Sequence, residues 1–295
     1  MRYTNPVIPE GINVSEEHPL KEFASLAIGI TLLVVVGVTA LSWTAGYFSR
    51  FIPFELEQKM VGQLPAEMLT HDDANNQQIE TYLQTLANQL ATHQGLDEHM
   101  PVTVHYVEDE TVNAGATLGG HIIMFKGLLE KLPHENALAM VMAHEIAHIK
   151  HRDPILALGR GITVALALAS IAGASDSGLL DGVINQTGML TLLTFNRDQE
   201  QQADLEALQT LESYYGHTRG AAALFETLKL EEEDSFHQPE FLSSHPLTNK
   251  RIDTTFEYTA THGNKINQKL SQLPDFIKNL ANQMDSSDNK TAQEQ

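Results

Sequence analysis

The chain has no cysteine among its 295 residues. That removes disulfides, thiolate metal ligands and cysteine nucleophiles together, so any transition metal must be held by His, Asp or Glu. Basic residues are also scarce: 18 Lys and Arg stand against 38 Asp and Glu, a formal net charge of −20. Phosphate binding depends on clustered Lys and Arg, and no basic block interrupts the acidic background, so no nucleic-acid partner is expected. A third absence is local. The stretch FASLAIGITLLVVVGVTALSWTAGYF, residues 23–48, carries no charge at all.

About 20 apolar residues suffice to cross a bilayer as a helix, so residues 23–48 are predicted to span a membrane and contact its lipid. Trp43 and Tyr47 near one end suit interfacial anchoring. A cleaved signal peptide would have a shorter apolar region and a small-x-small site just beyond it. Here GYFSRFIPF follows instead, which favours an uncleaved, single-pass anchor in the cell inner membrane. Two orientation signals oppose each other. Lys21 before the segment and Arg50 and Lys59 after it slightly favour a cytoplasmic domain, whereas a short tail before one anchor favours sending the domain out. The periplasmic side is the expectation.

Around this anchor the chain divides into a flexible tail, 1–22, containing Pro6, Pro9 and Pro19, a domain at 49–260 and a polar C-terminal tail at 261–295, partly disordered. Within the domain, Ile79, Leu83, Leu86 and Leu90 keep helical spacing and Gly95 supplies a stop. PVTVHYVED (101–109) and GHIIMFKG (120–127) are short β-rich runs. TVNAGATLGG between them is too rich in Gly and Ala for a packed strand interior and reads as a turn or a close backbone approach. Leu138, Val141, Met142, Ile146 and Ile149 return to helical spacing. Two further apolar runs, 155–172 and 179–195, suit either membrane crossing or packing on the domain. The second contains Asp181, Asn185 and Gln186, and polar groups disfavour a crossing. The fold class expected is α+β, mainly α with a small β-sheet.

Chemistry is concentrated in VMAHEIAHIKHRD (141–153). Positions four apart share one helix face, so His144 and His148 can present two imidazoles to one metal ion. Glu145 lies beside them, able to act on a water without ligating the metal, which is the physical content of HExxH. His151 would sit a further turn away and suits packing or the surface. A third ligand is needed, and FNRDQEQQADLEAL (195–208) offers Glu200 and Asp204, again four apart, with small Ala203 between them. Glu200 would complete a two-His, one-Glu zinc site with one position left for water. Asp204 would accept a hydrogen bond from the free ring nitrogen of a ligand histidine.

The set HEIAHIKHRD, RDQEQQAD and SSHPLTNKRI resembles the membrane-associated zinc metallopeptidases that include HtpX, the CAAX prenyl protease and the mitochondrial inner-membrane stress protease. The likeness covers roughly residues 55–255, and VNAGATLGGHIIMFKGLLEKL is similar to the strand and loop before their zinc helix. It implies a zincin-like domain binding one Zn²⁺ through His144, His148 and Glu200. It further implies Glu145 as the catalytic glutamate, Asp204 beside the ligands, and His245 near the site with Arg251 downstream. His245 is then the candidate donor to the oxyanion of peptide hydrolysis. The function implied is a membrane-anchored zinc endopeptidase acting on proteins or peptides in membrane or envelope quality control. The alternative is a catalytically silent, metal-binding adaptor or chaperone-like protein using the same groove. The oligomeric state is not encoded in any feature of the sequence.

Overall fold

The computed structural model describes residues 19–61, 74–172, 194–234, 240–262 and 269–280. Most of the tail at 1–22, most of the apolar run at 179–195 and the last fifteen residues lie outside them. The architecture is mainly helical with one small sheet. Helix α1 (Pro19–Ser49) leads through α2 (Phe54–Val61) to α3 (Ala74–Gln94), then β1 (Thr103–Val107) and β2 (Ala114–Ala116). A 3₁₀ turn at Leu118–Gly120 joins β2 to β3 (His121–Phe125), which runs into α4 (Lys126–Lys131). Then come α5 (Glu135–Lys150), α6 (Asp153–Ala172), α7 (Arg197–Tyr215), α8 (Ala223–Asp234), α9 (Glu240–Ser244), α10 (Asn249–His262) and α11 (Asp275–Lys278).

Helix α5 is the centre of the core. Every residue from Asn136 to Ile149 is buried, so this helix has no solvent face and its apolar residues surround it. The His134 side chain caps it by accepting from the Ala137 amide. Helix α7 lies alongside through Ala203 and Ala207, both fully buried and small enough for close approach. It is capped reciprocally: Asn196 accepts from the Asp198 and Gln199 amides while Gln199 Oε1 accepts from the Asn196 amide.

The sheet has the order β1-β3-β2, with β3 parallel to β1 and antiparallel to β2. The Gly- and Ala-rich stretch expected as a turn or a close backbone approach thus also contributes an edge strand. Asn113 O accepts from Phe125 N and Thr117 N donates to His121 O, so by alternation Ala114 and Ala116 turn their backbone groups away from β3. Propensity does not make this strand; pairing to β3 and the room left by small side chains do. At the turn, Gly120 adopts φ 84°, and a Cβ there would lie 2.1 Å from Pro101 O.

Helix α1 is long and apolar enough to cross a membrane. At about 1.5 Å per residue its 31 residues extend roughly 46 Å. Its outer leucines, valines and isoleucines are exposed, and only a stripe including Ser42, Gly46 and Ser49 is covered. The first of the two further apolar runs forms α6 and covers that stripe. Ser42 Oγ donates to Arg160 O at 3.1 Å, and Gly159 lets the helices close, since a Cβ there would meet Ser49 Oγ at 2.3 Å.

The tail expected from 261 is not polar throughout its length. Leu273, Ile277 and Leu280 enter the main core, their spacing putting all three on one side of α11 and its flanks. Ser271 O accepts from the Glu135 amide, and Ser271 N donates to Asn136 Oδ1. The segment therefore closes the amino-terminal end of α5.

Candidate metal centre and active site

Three pieces of chain deliver the polar groups. Helix α5 supplies His144, Glu145 and His148; α7 supplies Glu200 and Asp204; the turn between α9 and α10 supplies His245, with Arg251 on α10. All seven are buried. The structure brings every site residue expected from the sequence into this one cluster.

The Nε2 atoms of His144 and His148 lie 3.1 Å apart. Glu200 oxygens sit 3.5 Å from the first and 3.4 Å from the second. Tetrahedral ligands at about 2.0–2.1 Å from zinc are themselves about 3.3 Å apart, so the two ring nitrogens and the Glu200 carboxylate, which meets each ring with a different oxygen, are spaced as one ion requires. The protons support the same conclusion. His144 Nδ1 faces Asp204 Oδ1 at 3.0 Å and His148 Nδ1 faces Asp153 Oδ2 at 2.8 Å. An ionised carboxylate only accepts, so each Nδ1 carries a proton, and a ring that is otherwise neutral then offers its lone pair at Nε2. Two such lone pairs beside a carboxylate repel unless a cation or a proton stands among them.

The charge inventory points the same way. Glu145, Asp153, Glu200 and Asp204 are buried, and Arg251 is the one buried guanidinium among them. Burial works against a charged imidazole at His148, but hydrogen bonds to Asp153 and Glu200 outweigh it and push the group up to about 10. His144 is raised likewise, with Asp204 and Glu200 overcoming burial. Burial alone would raise the Glu200 carboxyl, yet His245, His144 and His148 hold it well below the usual range. Without an ion the carboxylates draw protons onto the histidines. A divalent cation satisfies the same demand and leaves the lone pairs free to bind it.

His245 joins the cluster from the far side. Its Nδ1 lies 3.0 Å from Glu200 Oε1 and 3.3 Å from His144 Nε2, and Phe241 stacks on its ring at 4.6 Å. The potential ligand atoms of His144, His148, Glu200 and His245 all fall within 4.8 Å of one another. Glu145 is held at one oxygen, where Oε2 accepts from the Ala116 amide at 2.6 Å. Its Oε1 lies 3.5 Å from His245 Nε2, and both atoms are buried without a hydrogen bond. Arg251 grips Asp204 with two nitrogens, at 2.6 and 2.8 Å, and reaches Glu200 Oε2 with the third at 2.6 Å. That fork fixes both Glu200 and Asp204.

Sequence reasoning missed Asp153, Phe195 and Gln199. Phe195 stacks on the His148 ring with centroids 4.0 Å apart. Asp153 stands five residues beyond His148 and reaches it because the chain reverses at Arg152, whose φ is 62°. The only sequence trace of this is an acidic residue just past the end of the zinc helix. His151 lies outside the cluster and pairs with Glu206 at 2.7 Å.

Comparison with known proteins gives a consistent picture. Residues 75–258 match Peptidase family M48. The mitochondrial metalloendopeptidase OMA1 of Schizosaccharomyces pombe is 32% identical over 151 residues, covering 50% of this chain and 44% of that protein. The beta-barrel assembly-enhancing protease of Escherichia coli strain K12 is 28% identical over 192 residues, 60% of this chain and 38% of that protein. A putative beta-barrel assembly-enhancing protease of Vibrio cholerae is 29% identical over 201 residues, 62% and 40% respectively. The chain thus spans less than half the length of each of these curated relatives.

Proposed function

The chain belongs to peptidase family M48, a family of zinc metallopeptidases, and on that footing we propose that it is a membrane-anchored zinc endopeptidase. One observation carries the proposal: the convergence of His144, His148 and Glu200 at 3.1–3.5 Å beside the unpartnered Oε1 of Glu145. In this reading His144, His148 and Glu200 hold the ion, with Asp204 and Arg251 fixing them. Bound zinc would supply a water ready to attack at neutral pH and an electrophile for the scissile carbonyl.

The chain's own residues do the rest. Glu145 is anchored through Oε2, which leaves Oε1 to take the proton from the attacking water and hand it to the leaving amine. His245 Nε2 faces the same space and, when it carries a proton, would be the donor to the developing oxyanion. The outward backbone of β2, chiefly Ala114 and the Ala116 carbonyl, offers an extended peptide a strand to pair with. Small side chains there let it approach.

Helix α1 would hold this site at the inner membrane, with the domain on the periplasmic side. The names of the relatives support membrane or envelope protein quality control as the setting. The silent-adaptor alternative is not favoured, because Glu145 and every donor are present together. The test is zinc analysis and peptide cleavage by the purified full chain. Glu145→Gln should keep stoichiometric zinc and lose about 10²- to 10⁴-fold in turnover, the usual contribution of a general base. Zinc-free protein, or a Glu145→Gln variant at full turnover, would overturn the reading. Carbonate extraction of membranes tests the anchor, which should stay with the lipid.

A further inference from the structure

A line of polar contacts runs from His148 to the anchor helix. His148 Nδ1 donates to Asp153 Oδ2. The other oxygen of Asp153 accepts from Gln199 Nε2. Gln199 Oε1 accepts from Arg160 Nη2 at 3.2 Å and from the Asn196 amide at 3.0 Å. Arg160 in turn rests on α1, where a Cβ at Gly46 would lie 3.1 Å from its Cγ.

The polarity of this line is fixed by chemistry. A guanidinium and a backbone amide can only donate, so the end of the Gln199 amide that faces them must be its oxygen. Its NH₂ must then face Asp153, a carboxylate that only accepts. Both Asp153 oxygens are thereby engaged, and the proton of His148 is held at Nδ1. The lone pair at Nε2 is left pointing at the cluster.

The backbone adds a second, independent sign. Asp153 reaches His148 through the left-handed conformation of Arg152, a strained state for a non-glycine residue that persists where surrounding structure enforces it. Here Glu57 Oε2 binds Arg152 at 2.9 and 2.6 Å, and Ile52 O accepts from it at 2.8 Å. The reversal is thus braced from α2 and the loop that follows the anchor.

We propose that Asp153 and Gln199 are positioning residues that set the tautomer and orientation of His148, with Arg160 orienting the Gln199 amide from the anchor side. The proposal rests on His148 as a zinc ligand. Gln199 also caps α7, and the two roles separate in Gln199→Glu. That variant keeps the capping oxygen and the acceptor for Arg160 but replaces the donor to Asp153 with a second carboxylate.

The experiment uses the full chain in detergent. Zinc affinity is read by competition with a chelating dye, and the visible absorption of the cobalt-substituted protein reports the ligand field. Asp153→Asn should weaken zinc about 10- to 100-fold, the usual effect of losing a partner of a ligand histidine. Gln199→Glu should weaken it about tenfold, and both should shift the cobalt bands. Gln199→Glu with wild-type zinc affinity and cobalt spectrum would reduce Gln199 to a helix cap and overturn the proposal. His148→Ala separates this failure from a deeper one. If that variant keeps tight zinc, the ligand assignment and the positioning role fall together; if it loses zinc while Gln199→Glu is unaffected, only the positioning role falls.

Discussion

Helices α1 and α5 are both rich in apolar residues, yet they answer to different surroundings. Leu33 and Trp43 on α1 are 73% and 78% exposed, whereas Leu138 and Met142 on α5 are fully buried. Helix α1 has removed charge from its long central stretch and packs on the rest of the chain only along one stripe, as a helix long and apolar enough to cross a membrane can. Helix α5 is covered by protein, and protein can do what lipid cannot: place a partner opposite every polar group. That is why His144, Glu145 and His148 can sit in the most buried helix of the domain. Asp204, Asp153 and the Ala116 amide receive them. An apolar helix can thus be an anchor or a reaction frame, depending on what surrounds it.

Removing a partner from the α5 side should have the largest effect. Glu200→Ala deletes one of the three converging donors, and zinc and peptide hydrolysis should be lost together; stoichiometric zinc in that variant would mean the third ligand lies elsewhere. His245→Ala should be gentler. It leaves those three donors in place, so zinc should remain while kcat and kcat/KM fall together by about 10²- to 10³-fold. An unchanged kcat in the folded, zinc-loaded variant would remove His245 from catalysis.

A matched pair of truncations sharpens the same contrast. Met142→Ala opens a cavity where protein fills all sides, and denaturant unfolding of the domain should show a loss of about 2–5 kcal/mol. Leu33→Ala removes a side chain that meets no core residue, so the domain's stability should change by no more than about 0.5 kcal/mol. Equal losses in the two variants would mean that α1 is part of the domain core.

What the sequence disclosed follows from how local each signal is. The anchor is a continuous charge-free run, and the four-residue spacings of His144 with His148 and Glu200 with Asp204 exist within single helices. Those features need no knowledge of the fold. Strand β2 was hidden because Ala-Gly-Ala has no strand signature; its pairing comes from β3. Asp153 was hidden for another reason. Its contact with His148 depends on a backbone reversal at Arg152, which depends on Glu57, far away in sequence. Segment 269–280 carries only a weak amphipathic signal, near Phe276, because its three core residues are spread among charged and amide neighbours.

That last segment has a consequence for the order in which the protein comes into being. Synthesis delivers α1, a helix long and apolar enough to cross a membrane, while most of the domain is still unmade. Residue 271, which accepts the Glu135 amide at the start of the zinc helix, is delivered more than 220 residues after α1 ends. Until then the core lacks Leu273, Ile277 and Leu280. Helix α1 is therefore complete well before the cluster on α5 can be locked, and premature termination before 269 leaves the amino-terminal end of α5 unsealed.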